Sequence, residues 1–137
     1  MKKIPFILIV IFIITSSFTT STNQTAKTKL LVYYFHLTAR CHTCATIEAT
    51  TVEVLNSTFK KELNNGIIVF KSFNVDDKAN EQLCKKYMAY GSTLALTKIT
   101  KGKEFKIEDL TNMAFSKIDK PEIFKSELIS NINLMLK

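Results

Sequence analysis

The chain has little glycine, little proline and no tryptophan: three glycines and two prolines occur in 137 residues. This composition excludes collagen-like and low-complexity disordered chains, because both are rich in glycine or proline. Hydrophobic residues make up 46% and charged residues 23% of the chain, which is typical of an ordinary globular protein. The length suits one domain preceded by a short leader, since a second hydrophobic core would need a longer chain.

The chain also lacks a continuous basic stripe, although its formal net charge is +7 at pH 7. Lysines are scattered among acidic residues along the whole length, as on a solvated surface. Nucleic-acid binding would instead be indicated by clustered basic residues with stacking aromatic residues between them. We therefore expect no nucleic acid among the partners of this protein.

The N-terminus has the features of an export signal. Lys2 and Lys3 precede an apolar run over residues 4–14, and residues 15–22 are rich in small hydroxyl side chains. The apolar run is too short to span a hydrocarbon core comfortably, which favours a secretory signal peptide over a membrane helix. An uncleaved N-terminal anchor is the alternative. Export predicts a periplasmic location, either free or anchored to the inner membrane.

The domain organisation follows from this leader. Residues 1–21 are predicted to be the signal peptide or N-terminal anchor, and the polar residues 22–28 a flexible tether. Residues 29–137 remain for a single folded domain. No internal repeat or low-complexity segment divides that domain further.

Hydrophobic patterning predicts the first half of the domain. Residues 30–35 form a continuous apolar run of strand-forming side chains, and residues 67–75 indicate a second buried strand. Between them, residues 44–63 repeat apolar side chains at steps of three and four, which is typical of a helix. Gly66 follows this pattern and suits a left-handed helix cap.

The second half continues with a short helix over residues 80–87, strands over residues 93–100 and 104–110, and a final helix opened by Pro121. The predicted order is therefore β-α-β-α-β-β-α. A strand, helix and strand in succession imply parallel pairing through a right-handed crossover, and the later hairpin closes the sheet. We predict an α/β protein with a thioredoxin-like fold, in which helices flank a mixed four-stranded sheet.

A CxxC pair, Cys41-His42-Thr43-Cys44, lies between the first strand and the first long helix. A thiolate at a helix N-terminus is stabilised by free backbone N–H groups and by the positive end of the helix dipole. Arg40 and a protonated His42 add positive charge beside Cys41. Cys41 is therefore the predicted nucleophile with a lowered pKa, and Cys44 is the predicted resolving thiol.

Two other interpretations of the CxxC pair stay open. The pair can be half of a soft-metal or metalloid site with His36 or His42 as a further ligand, although a zinc site needs a second ligand pair at suitable spacing. It can also be a structural disulfide, although such a short loop adds little constraint to the unfolded chain. No flavin or nicotinamide fingerprint occurs, so we expect no cofactor beyond a redox-active disulfide Cys41–Cys44.

Three further side chains are candidates for supporting roles. His36 ends the first strand, where it either modulates the thiols or forms an ordinary hydrogen bond. Glu48 lies four residues after Cys44 on the helix, where it either assists proton removal from Cys44 or is a surface residue. Cys84 has apolar neighbours on the short helix and is either a core cysteine or a third redox thiol.

The chain departs from the usual thioredoxin pattern at two places. Thioredoxins carry a cis-proline just before the third core strand, whereas Gly91-Ser92-Thr93-Leu94 contains no proline at this point. Thr93 is the nearest equivalent of that proline. The motif Trp-Cys-Gly-Pro-Cys is also absent. We therefore expect substrate docking to differ from that of an ordinary thioredoxin.

The segment from Tyr34 to Glu48 resembles a specific bacterial family. The elements that carry the resemblance are Tyr34-Phe35-His36, Arg40-Cys41-His42-Thr43-Cys44 and Ile47-Glu48. They are similar to the core motif of the thioredoxin-like family named nitrophenyl-compound nitroreductase subunit, ArsF family. The resemblance extends from about Leu30 to the C-terminus.

This resemblance implies a subunit that helps reduce aromatic nitro groups, including those of nitroaromatic arsenicals, in arsenic resistance. Cys41 and Cys44 match the redox positions. The implied partners are a protein redox partner, such as a membrane reductant or an efflux permease, and a nitroaromatic or arsenical small molecule. Nitro reduction needs successive electron pairs, whereas a dithiol delivers two electrons per cycle. We therefore expect the chain to relay electrons rather than to reduce the nitro group unaided.

Overall fold

Four strands form the sheet in the computed structural model, which describes residues 28–137. They are β1 Leu30–His36, β2 Ile68–Asn74, β3 Thr93–Thr100 and β4 Lys103–Asp109. The sheet order is β2-β1-β3-β4, in which β1 pairs in parallel with β2 and antiparallel with β3. Strand β4 pairs antiparallel with β3 at the edge. The predicted mixed four-stranded sheet is confirmed.

Five α-helices surround the sheet within residues 28–137. They are α1 His42–Thr58, α2 Lys60–Asn64, α3 Glu81–Tyr87, α4 Thr111–Lys117 and α5 Pro121–Leu136, and a 3-10 turn at Lys78–Asn80 precedes α3. Every helix within the described part of the chain is too short or too polar to cross a bilayer. The predicted signal peptide or anchor over residues 1–21, and all but the last residue of the predicted tether, lie outside the described residues.

The structure differs from the predicted element order in two details. The helix predicted over residues 44–63 divides into α1 and α2 at Phe59, where φ is −116° and ψ is 24° and the buried side chain packs into the core. The prediction also omitted α4. This helix is short, and only the four-residue spacing of the buried residues Leu110, Ala114 and Ile118 marks it. Gly66 follows α2 with φ of 70°, as predicted for a left-handed cap.

The two faces of the sheet carry different cores. The first face is covered by α1, α4 and α5, and its buried cluster is mostly aliphatic. The second face is covered by α3, and its cluster contains Phe35, Cys84 and Tyr87 with the half-buried Tyr33 and Phe73 beside them. Successive residues of a strand point to opposite faces, so Tyr34 belongs to the first core while Tyr33 and Phe35 belong to the second.

The apolar stripe of the final helix agrees with its prediction. Phe124, Leu128, Ile132 and Met135 are all buried against the first face. Because α5 packs against both α1 and the central strands, it supports the helix that begins at the CxxC pair.

Candidate redox site

The CxxC pair lies where the sequence predicts it, at the junction between β1 and α1. Cys41 is the N-cap of α1, with extended backbone angles (φ −77°, ψ 157°), and Cys44 lies in the first turn. Their sulfur atoms form a disulfide with a distance of 1.98 Å, and the two Cα atoms are 5.2 Å apart. The Cys44 N–H donates to Cys41 Sγ at 3.1 Å. An N–H of the helix N-terminus that has no partner within the helix therefore points at the Cys41 sulfur.

The two cysteines differ in exposure. Cys41 is exposed, whereas Cys44 is half-buried. An incoming thiol or disulfide therefore reaches Cys41 first. No acidic residue lies in the first turn of α1, so no carboxylate there opposes the positive end of the helix dipole.

The loop that leads into the CxxC pair is tied to the end of β2. The Thr38 N–H donates to Asp76 Oδ2 at 2.7 Å, and Asn74 Nδ2 donates to Thr38 Oγ1 at 2.9 Å. The hydrogen bond from the Thr38 N–H, with a smaller effect of the His36 charge, lowers the pKa of the Asp76 carboxyl. These contacts join positions far apart in the chain and fix the approach to the site.

Arg40 and Glu48 form an ion pair beside the disulfide. Arg40 Nη2 lies 2.5 Å from Glu48 Oε2, and the two side chains are 33% and 16% exposed. The positive charge that Arg40 was expected to offer Cys41 is therefore offset by a carboxylate. The same pair links the residue before Cys41 to the second turn of α1, and the sequence reasoning missed it.

The two histidines occupy different environments. His36 is half-buried at the end of β1, and its Nδ1 lies 3.0 Å from the Leu37 carbonyl oxygen. This matches the ordinary strand-end hydrogen bond that the sequence left open for it. His42 is exposed as the first residue of α1, between the cysteines, and its carbonyl accepts from Thr46 Oγ1 at 2.9 Å. The predicted role of His42 in modulating Cys41 stays a prediction.

The remaining candidates do not assemble with the CxxC pair into a metal site. Between residues 28 and 137, no three His, Cys, Asp or Glu side chains are grouped as ligands of one ion. Cys84 is 6% exposed in the cluster on the second face, and burial raises the pKa of its thiol. This environment is that of a core cysteine.

Tyr34 contacts the site, a role that the sequence reasoning did not assign to it although the residue belongs to the motif Tyr34-Phe35-His36. Its hydroxyl donates to the Cys44 carbonyl oxygen at 2.7 Å, while only 1% of the residue is exposed. Burial raises the pKa of the Tyr34 phenol, and the Ser92 side chain approaches closely enough to lower it in part. A tyrosine within an otherwise apolar strand was the available signal, because a buried phenol needs a polar partner.

The segment before β3 lies next to the end of β1, since Thr93 pairs with Phe35 and Leu94 pairs with Tyr34. Thr93, the predicted equivalent of the proline in thioredoxins, is 7% exposed, and its Oγ1 donates to the Gly91 carbonyl at 3.2 Å. The Leu94 N–H donates to Thr111 Oγ1 at 3.1 Å, which attaches the start of β3 to α4. Local hydrogen bonds and α4 thus hold this segment beside the end of β1, the strand that leads to the CxxC pair.

Comparison with known proteins gives structural similarities only. No protein-family model matches the chain, and no curated protein matches it. Among solved structures, the germline-specific thioredoxin Deadhead of Drosophila melanogaster is 23% identical with a TM-score of 0.44, covering 66% of this chain and 82% of that one. A thioredoxin of Fasciola hepatica is 26% identical with a TM-score of 0.41, covering 69% and 83%.

A third solved structure, a mutant thioredoxin of Entamoeba histolytica, is 22% identical with a TM-score of 0.42, covering 70% of this chain and 84% of that one. All three TM-scores are below 0.5, so the fold assignment rests on the strand order and pairing of the chain itself. A parallel β1-α1-β2 crossover, an antiparallel β3-β4 hairpin and a disulfide at the start of α1 make this a thioredoxin-like α/β protein with a CxxC pair.

Proposed function

We propose that this chain is an exported thiol-disulfide redox protein in which Cys41 and Cys44 alternate between a disulfide and a dithiol. The observation that carries this proposal is the position of the pair: an exposed Cys41 caps α1 and a half-buried Cys44 lies one turn further on. That arrangement supplies an accessible nucleophile and a second thiol within bonding distance of it. Export is proposed from the charge and apolar pattern of residues 1–21.

The reaction is a two-electron exchange. In the dithiol form, the Cys41 thiolate attacks a partner disulfide, forms a mixed disulfide and releases one partner thiolate. The Cys44 thiolate then attacks Cys41 Sγ, which forms the Cys41–Cys44 disulfide and releases the second partner thiolate. The partner is reduced by two electrons and the chain is oxidised by two. A donor dithiol must afterwards reduce the chain by the same steps in reverse.

Within this role, we propose that the chain relays electrons to a system that reduces nitrophenyl compounds, including nitroaromatic arsenicals. The support is the resemblance of the segment around the CxxC pair to the ArsF-type nitroreductase subunits. Four residues of that motif are also in physical contact around the site, since Tyr34 donates to the Cys44 carbonyl and Arg40 pairs with Glu48. The proposed partners are a membrane reductant or an efflux permease.

The direct test of the thiol chemistry uses dithionitrobenzoate, an aromatic disulfide whose released thiolate is coloured. The reduced wild-type protein is expected to release about two thiolates, one on attack by Cys41 and one on resolution by Cys44. Cys44→Ser is expected to release only the first and to retain the aromatic group as a mixed disulfide. Cys41→Ser should lose the fast first phase. Cys84→Ser is the matched control, because Cys84 is buried away from the site, and should keep both phases.

The outcome that overturns the redox proposal is a dithiol that neither reacts with the probe nor re-forms its disulfide. Stoichiometric metal in reduced protein, lost in Cys44→Ser, would instead support the soft-metal alternative. The relay proposal has a separate test in cells exposed to a nitrophenyl arsenical. A Cys41→Ser, Cys44→Ser double variant should lose conversion of the nitro group to the amine, and full conversion by that variant would exclude the relay.

A further inference from the structure

The Tyr34 hydroxyl reaches from the central strand into the first turn of α1. The side chain begins on β1 in the first core and is 1% exposed, yet its oxygen donates to the Cys44 carbonyl at 2.7 Å. In an α-helix this carbonyl also faces the N–H four residues later, so the phenol uses the second lone pair of the oxygen. The contact is therefore an added tertiary restraint on the residue that carries the resolving thiol.

A second element lies near Tyr34. Leu94 pairs with Tyr34 and Thr93 pairs with Phe35, so the start of β3 adjoins the end of β1. Ser92, which precedes β3, acts to lower the pKa of the buried phenol in part. The segment that occupies the place of the proline loop in thioredoxins therefore lies beside the strand from which Tyr34 reaches Cys44.

Two charges of opposite sign act on Tyr34. Glu48 acts to raise the pKa of the phenol and Arg40 acts to lower it, and these two residues are paired with each other. Burial is the largest effect and raises the pKa, so Tyr34 stays protonated and remains a hydrogen-bond donor at neutral pH. Its function does not require transfer of the phenolic proton.

We propose that Tyr34 is a positioning residue for the resolving step, because its hydroxyl holds the first turn of α1 so that Cys44 Sγ faces the sulfur of Cys41 in the mixed disulfide. This inference rests on the proposed thiol-disulfide function. In the step concerned, the Cys41–partner S–S bond breaks, the Cys41–Cys44 bond forms, and the partner sulfur leaves with the electron pair. Tyr34 acts through the Cys44 backbone and touches none of these sulfur atoms in the reaction.

The test separates the two phases of the reaction with dithionitrobenzoate. Tyr34→Phe keeps the buried ring and removes only the hydroxyl. The first phase, attack by Cys41, is expected to change by less than about 2-fold, whereas the second phase should slow by roughly 3- to 10-fold, as expected for loss of one hydrogen bond. Tyr33→Phe is the matched control, because Tyr33 lies one residue away on the second face, and should leave both phases unchanged.

Ser92→Ala provides a second variant should Tyr34→Phe unfold, and it is expected to slow the second phase less than Tyr34→Phe does. An unchanged second phase in a folded Tyr34→Phe, or equal slowing of both phases, would overturn the positioning role. If Tyr34→Phe does not fold, an unchanged second phase in Ser92→Ala would overturn it instead. Those results would leave the thiol chemistry intact. If the wild-type protein itself shows no second phase, the proposed function fails and the role of Tyr34 fails with it.

Discussion

The two faces of the sheet are stabilised in different ways. The first face buries a large and mostly aliphatic cluster under α1, α4 and α5, whereas the second buries a small cluster rich in aromatic rings under α3. The Tyr33 and Phe73 rings meet edge to face at 5.0 Å, and the Phe35 and Phe73 rings stack at 5.6 Å. The CxxC pair lies at the start of α1, so its geometry depends on the larger core.

Each face contains one buried tyrosine whose hydroxyl has a polar partner. The partner on the first face belongs to the redox site, whereas the partner on the second face does not. Tyr34 on the first face donates to the Cys44 carbonyl. On the second face, the Tyr87 hydroxyl lies 2.7 Å from Thr97 Oγ1, with both residues buried. The first hydrogen bond ties the core to the site, whereas the second joins α3 to β3 without reaching the site. Similar chemistry thus serves positioning on one face and packing on the other.

The largest difference is expected from truncation of one phenylalanine on each face. Phe124 on α5 is fully buried in the first core, and Phe124→Ala should lower the free energy of unfolding by about 3–5 kcal/mol. Phe73→Ala, at a half-buried position on the second face, should cost roughly 1–2 kcal/mol because less apolar surface is lost. Urea denaturation of both variants measures these values, and equal costs would contradict the dominance of the first core.

A smaller effect is expected from Tyr87→Phe, which leaves the buried Thr97 hydroxyl without this partner. The free energy of unfolding should fall by about 1–2 kcal/mol, and Thr97→Val in the same chain should recover part of it. Both phases of the dithionitrobenzoate reaction should remain at wild-type rates, since Tyr87 is on the face away from the site. Slowed resolution in this variant would show that the two faces are coupled.

Tyr87 also predicts a loss of stability at alkaline pH. Burial, opposed in part by the hydrogen bond with Thr97, raises the pKa of Tyr87 to about 12, above its ordinary value of 10.0. The unfolded chain therefore loses this proton first, and the contribution of Tyr87, present below pH 10, is lost as pH rises toward 12. Denaturation at increasing pH should show a shallower decline in Tyr87→Phe, whereas an identical decline would contradict this origin.

The smallest effect concerns the loop that enters the site. The Asp76 pKa is lowered mainly by the hydrogen bond from the Thr38 N–H, so its contribution to stability is present above the unfolded value of 3.8 and is lost as pH falls through the lower folded value. Asp76→Asn should therefore flatten the acid limb of the stability profile. Asp119→Asn, in the turn before α5, controls for removal of one negative charge. An acid limb as steep as that of the wild type would contradict this prediction.

Much of the fold could be predicted because its signals are local. The continuous apolar run of β1, the four-residue stripe of α5 and the positive φ of Gly66 each depend on a few neighbouring residues. The break at Phe59 and the short helix α4 were missed, since they depend on packing against the sheet and not on a long periodic pattern. The site was likewise predicted where its signals are local and missed where its contacts depend on packing.

The sequence by itself determined that two cysteines would lie at a strand-to-helix junction, because the CxxC spacing and the change from apolar run to helical period are both local. Only the tertiary structure decided what surrounds them. Tyr34 reaches Cys44 across the interface between strand and helix, and Thr38 meets Asp76 from 38 residues away. Such contacts depend on the parallel pairing of β1 with β2 and on the packing of α1, which a single strand or helix does not encode.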